Sequence, residues 1–206
     1  IHISDPRSIR SYEALPFEYD STLIESIESV EKVVSTPDPD LPGQKPFESK
    51  GGVRHVQSYI YLPGIITHDD QMEGIVLKGV GDDYDWKVIN QYNESDTAWT
   101  TLGDDELIIS RITADRLRLK QDDKLILHFV REGKQLQRRF SIKGIYKTGL
   151  EENDAKFAIA SIQRVRDVLK WDSTKVSGLE ISIDNIDDLD LITEYIYREE
   201  IPAHLY

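Results

Sequence analysis

The sequence predicts an α+β fold, and two observations carry that reading. The chain before about Glu106 and after about Tyr146 alternates helical with strand-like patterns, while the stretch between them is mostly strand with one short helix. That contrast implies a small β-rich module inserted into an α+β one, with residues 101–150 as the insert and residues 1–100 with 151–206 as the body. At 206 residues and 39% hydrophobic content the chain is long enough for one large domain or two small ones.

The elements follow in order. Ile1-His2-Ile3 alternates as a short strand would. Between Asp20 and Val34, Leu23, Ile24, Ile27, Val30 and Val34 recur at helical spacing, and Thr22 three residues before Glu25 offers a capping box. Residues 36–46 hold four of the eight prolines and Gly51-Gly52 follows, so neither helix nor sheet can run through this loop. Val53 to Ile66 and Gly74 to Val80, rich in β-branched and aromatic residues, form a hairpin across His68-Asp69-Asp70-Gln71. The acids Asp82, Asp83 and Asp85 precede Lys87-Val88-Ile89 as they would at the start of a short helix.

In the middle stretch, Glu106 to Ile109 reads as a strand and Ser110 as the cap of a short helix over residues 112–117. Lys124 to Val130 and Leu136 to Tyr146 form a second, tight hairpin through Arg131-Glu132-Gly133-Lys134-Gln135. Phe157 to Ala160 is a strand, and Ser161 caps a helix that turns Ile162, Val165, Val168 and Leu169 to one face. A strand over Gly178 to Ile183 and a helix over Asp187 to Arg198, with Leu189, Ile192, Ile196 and Tyr197 inward, complete the body. No internal repeat of fixed period is evident.

Charge and composition remove several functions. The formal charge of −13 has the wrong sign for nucleic acid or an anionic membrane surface. Zero cysteines exclude disulfides, thiolate metal sites and a cysteine nucleophile. No run approaches the ~18 apolar residues of a membrane span, and the first residues lack a signal-peptide pattern. Both ends nonetheless read as cut from something longer.

Catalytic and ligand motifs are sparse. Gly79-Val80-Gly81 follows a strand, but Tyr84 stands where a dinucleotide fingerprint needs its third glycine, and no Walker sequence occurs. His2, His55, His68, His128 and His204 are too scattered for a histidine metal site. The acidic clusters 82–85 and 184–190 lack the glutamate and glycine spacing of a calcium loop and read as helix-capping residues. There is no Gly-x-Ser-x-Gly elbow. An acidic pair for glycoside hydrolysis remains open as a hydrolase reading, since its distance is spatial. Trp99, in a polar linker, reads as a buried plug or as a contact residue.

A family resemblance adds to this. Residues 144–154, Gly-Ile-Tyr-Lys-Thr-Gly-Leu-Glu-Glu-Asn-Asp, lie ahead of Phe157-Ala158 and Ile162-Gln163. Earlier come residues 73–80 with Asp83-Tyr84-Asp85-Trp86, and residues 106–110 with Ala114, Leu117, Leu119 and Asp123. In this order they resemble the extracytoplasmic domain of FtsX-like ABC-transporter permeases, the group of the lipoprotein-releasing permeases and the MacB-type exporter. The resemblance spans most of the chain from Val53 onward, and the proline-rich loop departs from it.

It implies a periplasmic domain between the first two membrane helices of a permease, with a porter-like subdomain made from both chain ends and the β-rich insert. It implies no catalytic residue, no metal and no cofactor. Transmembrane motion driven by a cytoplasmic ATPase subunit or domain would be passed to a substrate or partner outside the membrane. A second permease subunit and a periplasmic protein or lipoprotein cargo are the implied partners. In relatives that hand cargo to a periplasmic carrier, the insert's hairpin carries a long hook. Here the corresponding turn is only Arg131, Glu132, Gly133, Lys134 and Gln135, which are the partner-contact candidates and are too short for such a hook. The other readings are a freestanding soluble α+β binding or adaptor domain and the acidic-pair hydrolase.

Overall fold

The computed structural model describes residues 1–5, 12, 14–36, 45–131 and 133–201. Residues 37–44 of the proline-rich loop, Glu132 and residues 202–206 lie outside the described residues. The fold is mixed α+β around an eight-stranded sheet of order β1-β10-β3-β4-β8-β5-β7-β6, and β3 also pairs with β6. Its strands are β1 (His2–Ser4), β3 (Val53–His68), β4 (Gln71–Val80), β5 (Glu106–Ser110), β6 (Lys124–Arg131), β7 (Lys134–Tyr146), β8 (Phe157–Ser161) and β10 (Gly178–Ile183). A separate two-stranded sheet pairs β2 (Phe17–Glu18) with β9 (Lys175–Val176).

The extra β3–β6 pairing closes six strands, β3-β4-β8-β5-β7-β6, into a ring. Sixteen residues long, β3 serves two partners on one side. Its first half pairs with β10 from Val53 to Tyr59, and its last turn of strand pairs Ile65, Ile66 and Thr67 with β6. Two of the ring's pairings are parallel, β4 with β8 and β5 with β7. Strands β5 and β8 are therefore buried on both faces, as their unbroken apolar sequences require. Leu107, Ile109, Ala158 and Ala160 point into the main core, while Ile108 and Ile159 point the other way into a smaller cluster with Val80, Ile89, Trp99 and Tyr146. The main core is continuous from Leu125, Phe129 and Phe140 of the middle stretch through Leu62 and Leu77 to Ile27, Leu179 and Ile192 of the body. Trp99 is buried, with its indole against Gly144.

Among the described residues the α-helices are α1 (Ser21–Glu28), α2 (Trp86–Asn90), α3 (Arg111–Leu117), α4 (Glu151–Asp154), α5 (Ile162–Leu169) and α6 (Leu189–Tyr195). Strands β5 and β8 enter helices by the same device. Ser110 accepts from the Thr113 amide and Ser161 from the Gln163 amide, and α3 and α5 end on the left-handed residues Arg118 and Lys170. All four residues expected on the inner face of α5 are buried.

Three details differ from the sequence reading. The cap of α1 is Asp20, whose Oδ1 accepts from the Leu23 amide at 3.0 Å and from the Thr22 hydroxyl at 2.6 Å, so Thr22 supports the cap and does not form it. The helix stops at Glu28, and the chain runs on extended to pair Val34 with Glu48, which leaves Val34 exposed while Val30 and Val33 still reach the core. At the other end, Ile186–Asp188 is a 3-10 turn, α6 is seven residues long, and Ile196–Glu200 widens into a π-helix. Ile192 and Ile196 are buried as expected, whereas Leu189 and Tyr197 are only half-buried.

Candidate functional site

The sequence candidates converge on the β6–β7 hairpin. Its register runs from Lys124 opposite Ser141 to Arg131 opposite Lys134, so the turn has only two residues, and Gly133 takes the left-handed φ of +72° that such a turn demands. Arg131 is half-buried, its Nη1 donating to the Val168 carbonyl at 3.1 Å, while Gly133, Lys134 and Gln135 are exposed. Gln135 Nε2 lies 3.1 Å from His128 Nδ1, and His128 Nε2 lies 2.8 Å from the Thr67 hydroxyl, which ties the hairpin to β3. Val130, 78% exposed, is the apolar tip. Four of the five candidates thus share one short turn flush with the ring.

The sequence reading stopped at the turn and missed the strands leading to it. Lys124 and Arg139 on one face of the hairpin, and Arg138 with Lys134 on the other, add to its positive charge. The signal was available: residues 116–147 hold ten Lys or Arg against three Asp or Glu, net +7, so the rest of the chain carries −20. A single total charge conceals that split.

A cavity of about 730 Å³ opens elsewhere, between the end of β4, residues 100–104 and the start of α5. Several of its polar groups hold loops, although the buried Arg166 Nε has no hydrogen-bond partner. Asp104 accepts from the Ser161 hydroxyl at 2.8 Å, Asp83 Oδ2 accepts from the Ser58 amide and hydroxyl at 2.6 and 2.9 Å, and Arg166 donates to the Ser173 carbonyl at 3.0 Å. A glycosidase pair would need one carboxyl pushed up toward neutrality. Asp20, Glu106, Asp172, Glu180 and Asp187 are all shifted down. The acidic run 184–190 likewise serves the backbone: Asp188 Oδ2 accepts from the Lys50 and Gly51 amides, Asp184 from the Gly52 amide, and Asn185 from the Asp187 amide. Among the described residues no three His, Asp or Glu side chains gather as a metal would require.

On the outer face of β10-β3-β4, Lys78 donates to both oxygens of Glu180 at 2.7 Å, reaching across β3, and Gln57 adds a third bond at 2.7 Å. Burial pushes the Glu180 carboxyl up, but Lys78 and these hydrogen bonds hold it net below the usual range. Burial raises the neighbouring phenols, Tyr59 to about 12 and Tyr61 further. The Lys78 ammonium lies 5.9 and 5.6 Å from the ring centres of Tyr59 and Tyr84. This patch clamps the strand at the chain's beginning and end to the ring.

No protein-family model matches the sequence, and no curated protein does. Among solved structures, the fold is similar to that of the extracellular domain of a noncanonic ABC-type transporter, YknZ, from Gram-positive bacteria. The TM-score is 0.51 at 13% identity, over 93% of this chain and 86% of that one. At that identity the likeness is one of fold, and it extends over both the body and the middle stretch.

Proposed function

We propose that this chain is the extracytoplasmic domain of an ABC-transporter permease of the FtsX-like, MacB-type or lipoprotein-releasing group, and that it performs no catalysis of its own. In this reading a cytoplasmic ATPase moves membrane helices of the permease and a second permease subunit, and the domain passes that motion to a lipoprotein, efflux substrate or periplasmic partner. The observation that carries the proposal is the fold likeness to a transporter's extracellular domain along nearly the whole chain. The order of the sequence motifs from Glu73 to Gln163 supports it independently.

Geometry also supports it. The Tyr197 hydroxyl donates to the His2 carbonyl at 2.9 Å, so the first strand and the last helical segment lie side by side at one pole. Strand β6 meets β3 at Ile65–Thr67, about nine residues beyond the Gln57 level at which His2 lies, roughly 30 Å away at ~3.3 Å per residue, and it runs back toward that pole, so that the hairpin turn lies nearer to it. A domain tethered at the first pole would carry the far end of the ring, with the end of β3 and the start of β6 around Lys124, away from the membrane. No helix among the described residues is long and apolar enough to cross a membrane.

The zero cysteine count makes a clean test possible. Val130→Cys is introduced into the full-length gene product, freed of any cysteine elsewhere, and intact spheroplasts are treated with a membrane-impermeant maleimide. Labelling without lysis, on protein that sediments with membranes, is the expected result. Labelling only after lysis, or recovery in the soluble fraction, would overturn the reading and favour the freestanding adaptor.

A further inference from the structure

The two neighbours of β7 differ in length, and the difference leaves an edge open. Strand β6 pairs with β7 from Lys134 to Ser141, but β5 pairs with it only from Ser141 to Tyr146. Residues 134–140 therefore have no strand on their second side among the described residues. A bare edge of this length is a template for another chain.

Charge narrows what could sit there. Lys134 and Arg139 are exposed on the edge, Arg138 is half-exposed, and Lys124 flanks it across the hairpin. None of the four has a carboxylate within ion-pair distance among the described residues, although Arg138 donates to the Gln137 carbonyl. By contrast Lys143, one turn of strand further on, is paired with Glu106. Lys124 and Arg139 also border a depression of about 250 Å³ with Phe140, Ser141 and Asp105 where the open edge meets β5. Four unpaired cations in a protein of charge −13 repel a second copy of the same edge and attract acid.

We propose that the open edge of β7, residues 134–140, docks an acidic extended polypeptide segment as an added strand. The backbone decides between a polypeptide and an anionic lipid surface. Only a polypeptide can satisfy a row of unpaired amides and carbonyls, whereas headgroups would answer the side chains alone. Acidic side chains on one face of the added strand would meet Lys134 and Arg138, those on its other face would meet Arg139, and the end of the segment would enter the depression beside Lys124. The inference goes beyond the permease reading and does not depend on it, because its test needs no membrane placement.

The test uses this 206-residue chain and a fluorescein-labelled (Glu-Glu-Thr)4 peptide, which carries carboxylates on both faces of an extended strand, read by anisotropy. Binding is expected at low salt and should weaken about tenfold by 0.3 M salt, where screening is short-ranged. The triple variant K134E/R138E/R139E and a peptide N-methylated at alternate amides should each bind at least ~10-fold more weakly. The charge-matched variant K45E/R54E/K87E, altered at exposed sites elsewhere, should bind as the parent does. Amide exchange at residues 134–140 should slow when the peptide is added. Absence of binding, or equal binding of the N-methylated peptide, would overturn the proposal and leave the charges as protection against aggregation. Binding of phosphatidylglycerol vesicles through the same three residues without competition from the peptide would overturn it in favour of a lipid surface.

Discussion

Removing the Lys78 ammonium tests whether the ion pair with Glu180 holds the outer strands to the ring. The side chains are 18% and 16% exposed, and both Glu180 oxygens accept from Lys78 at 2.7 Å. Lys78→Met keeps the apolar stem but leaves a carboxylate supported by Gln57 alone among close donors, with His2 Nδ1 at 3.8 Å. Breaking one partner of such a buried pair costs about 3–5 kcal/mol, and the residual water contact argues for ~3 kcal/mol. In a chain of this size that is a fall in Tm of roughly 6–12 °C. The pH dependence has a definite sign. In the parent protein the Glu180 pKa is depressed below its ordinary 4.5, so its stabilisation is present above that value and is lost as pH falls through the lower folded value. Without Lys78, burial dominates and lifts the carboxyl, so protonation relieves the penalty at low pH. The deficit measured by urea unfolding should therefore be largest at pH 7 and shrink toward pH 4, and adding Glu180→Gln should recover much of it. A loss under about 1 kcal/mol at pH 7, an equal loss at both pH values, or a double variant as unstable as the sum of the singles would refute the reasoning.

Two further substitutions probe the smaller core and its loop. A Cβ at Gly144 would lie 2.6 Å from Trp99 Nε1, so Gly144→Ala must expel the indole, and a loss of ~2–3 kcal/mol with red-shifted tryptophan emission is expected; an unchanged spectrum would show that Trp99 does not pack there. Asp154 is buried and accepts from the Thr148 amide and hydroxyl and the Gly149 amide, so Asp154→Ala should cost ~2 kcal/mol and speed amide exchange at Thr148 and Gly149, while exchange as slow as in the parent would deny it that role.

Much of the fold could be read because its determinants are local. Ser110 and Ser161 announce their helices by occurring between a β-branched run and an apolar stripe, and Gly133 marks its turn because few residues tolerate its φ. Ring closure was not legible. It depends on β4 meeting β8 and β5 meeting β7 in parallel, pairings between segments about 80 and 35 residues apart that leave only unbroken apolar runs as a trace. The end of α1 was misread for a related reason. Val30 and Val34 keep helical spacing, yet the chain beyond Glu28 is extended, so Val30 reaches the core with Val33 while Val34 turns outward on the ladder with residues 47–49. The hairpin turn was visible in the sequence, but the open edge beside it is a difference in register between two partners and has no sequence signature.

The charge argument shows the same gap between average and arrangement. A net −13 argues against polyanions only if every surface feels the whole charge, and at physiological salt a charge is screened beyond about 8 Å. Anything approaching residues 134–140 meets Lys134, Arg138 and Arg139 at contact, whereas the acidic pole around Asp184, Asp187 and Asp188 lies at the opposite end of β3, several screening lengths away. The two poles therefore act as separate surfaces. In the proposed docking, an acidic partner at the basic edge therefore feels the edge's own charges before those of the acidic pole.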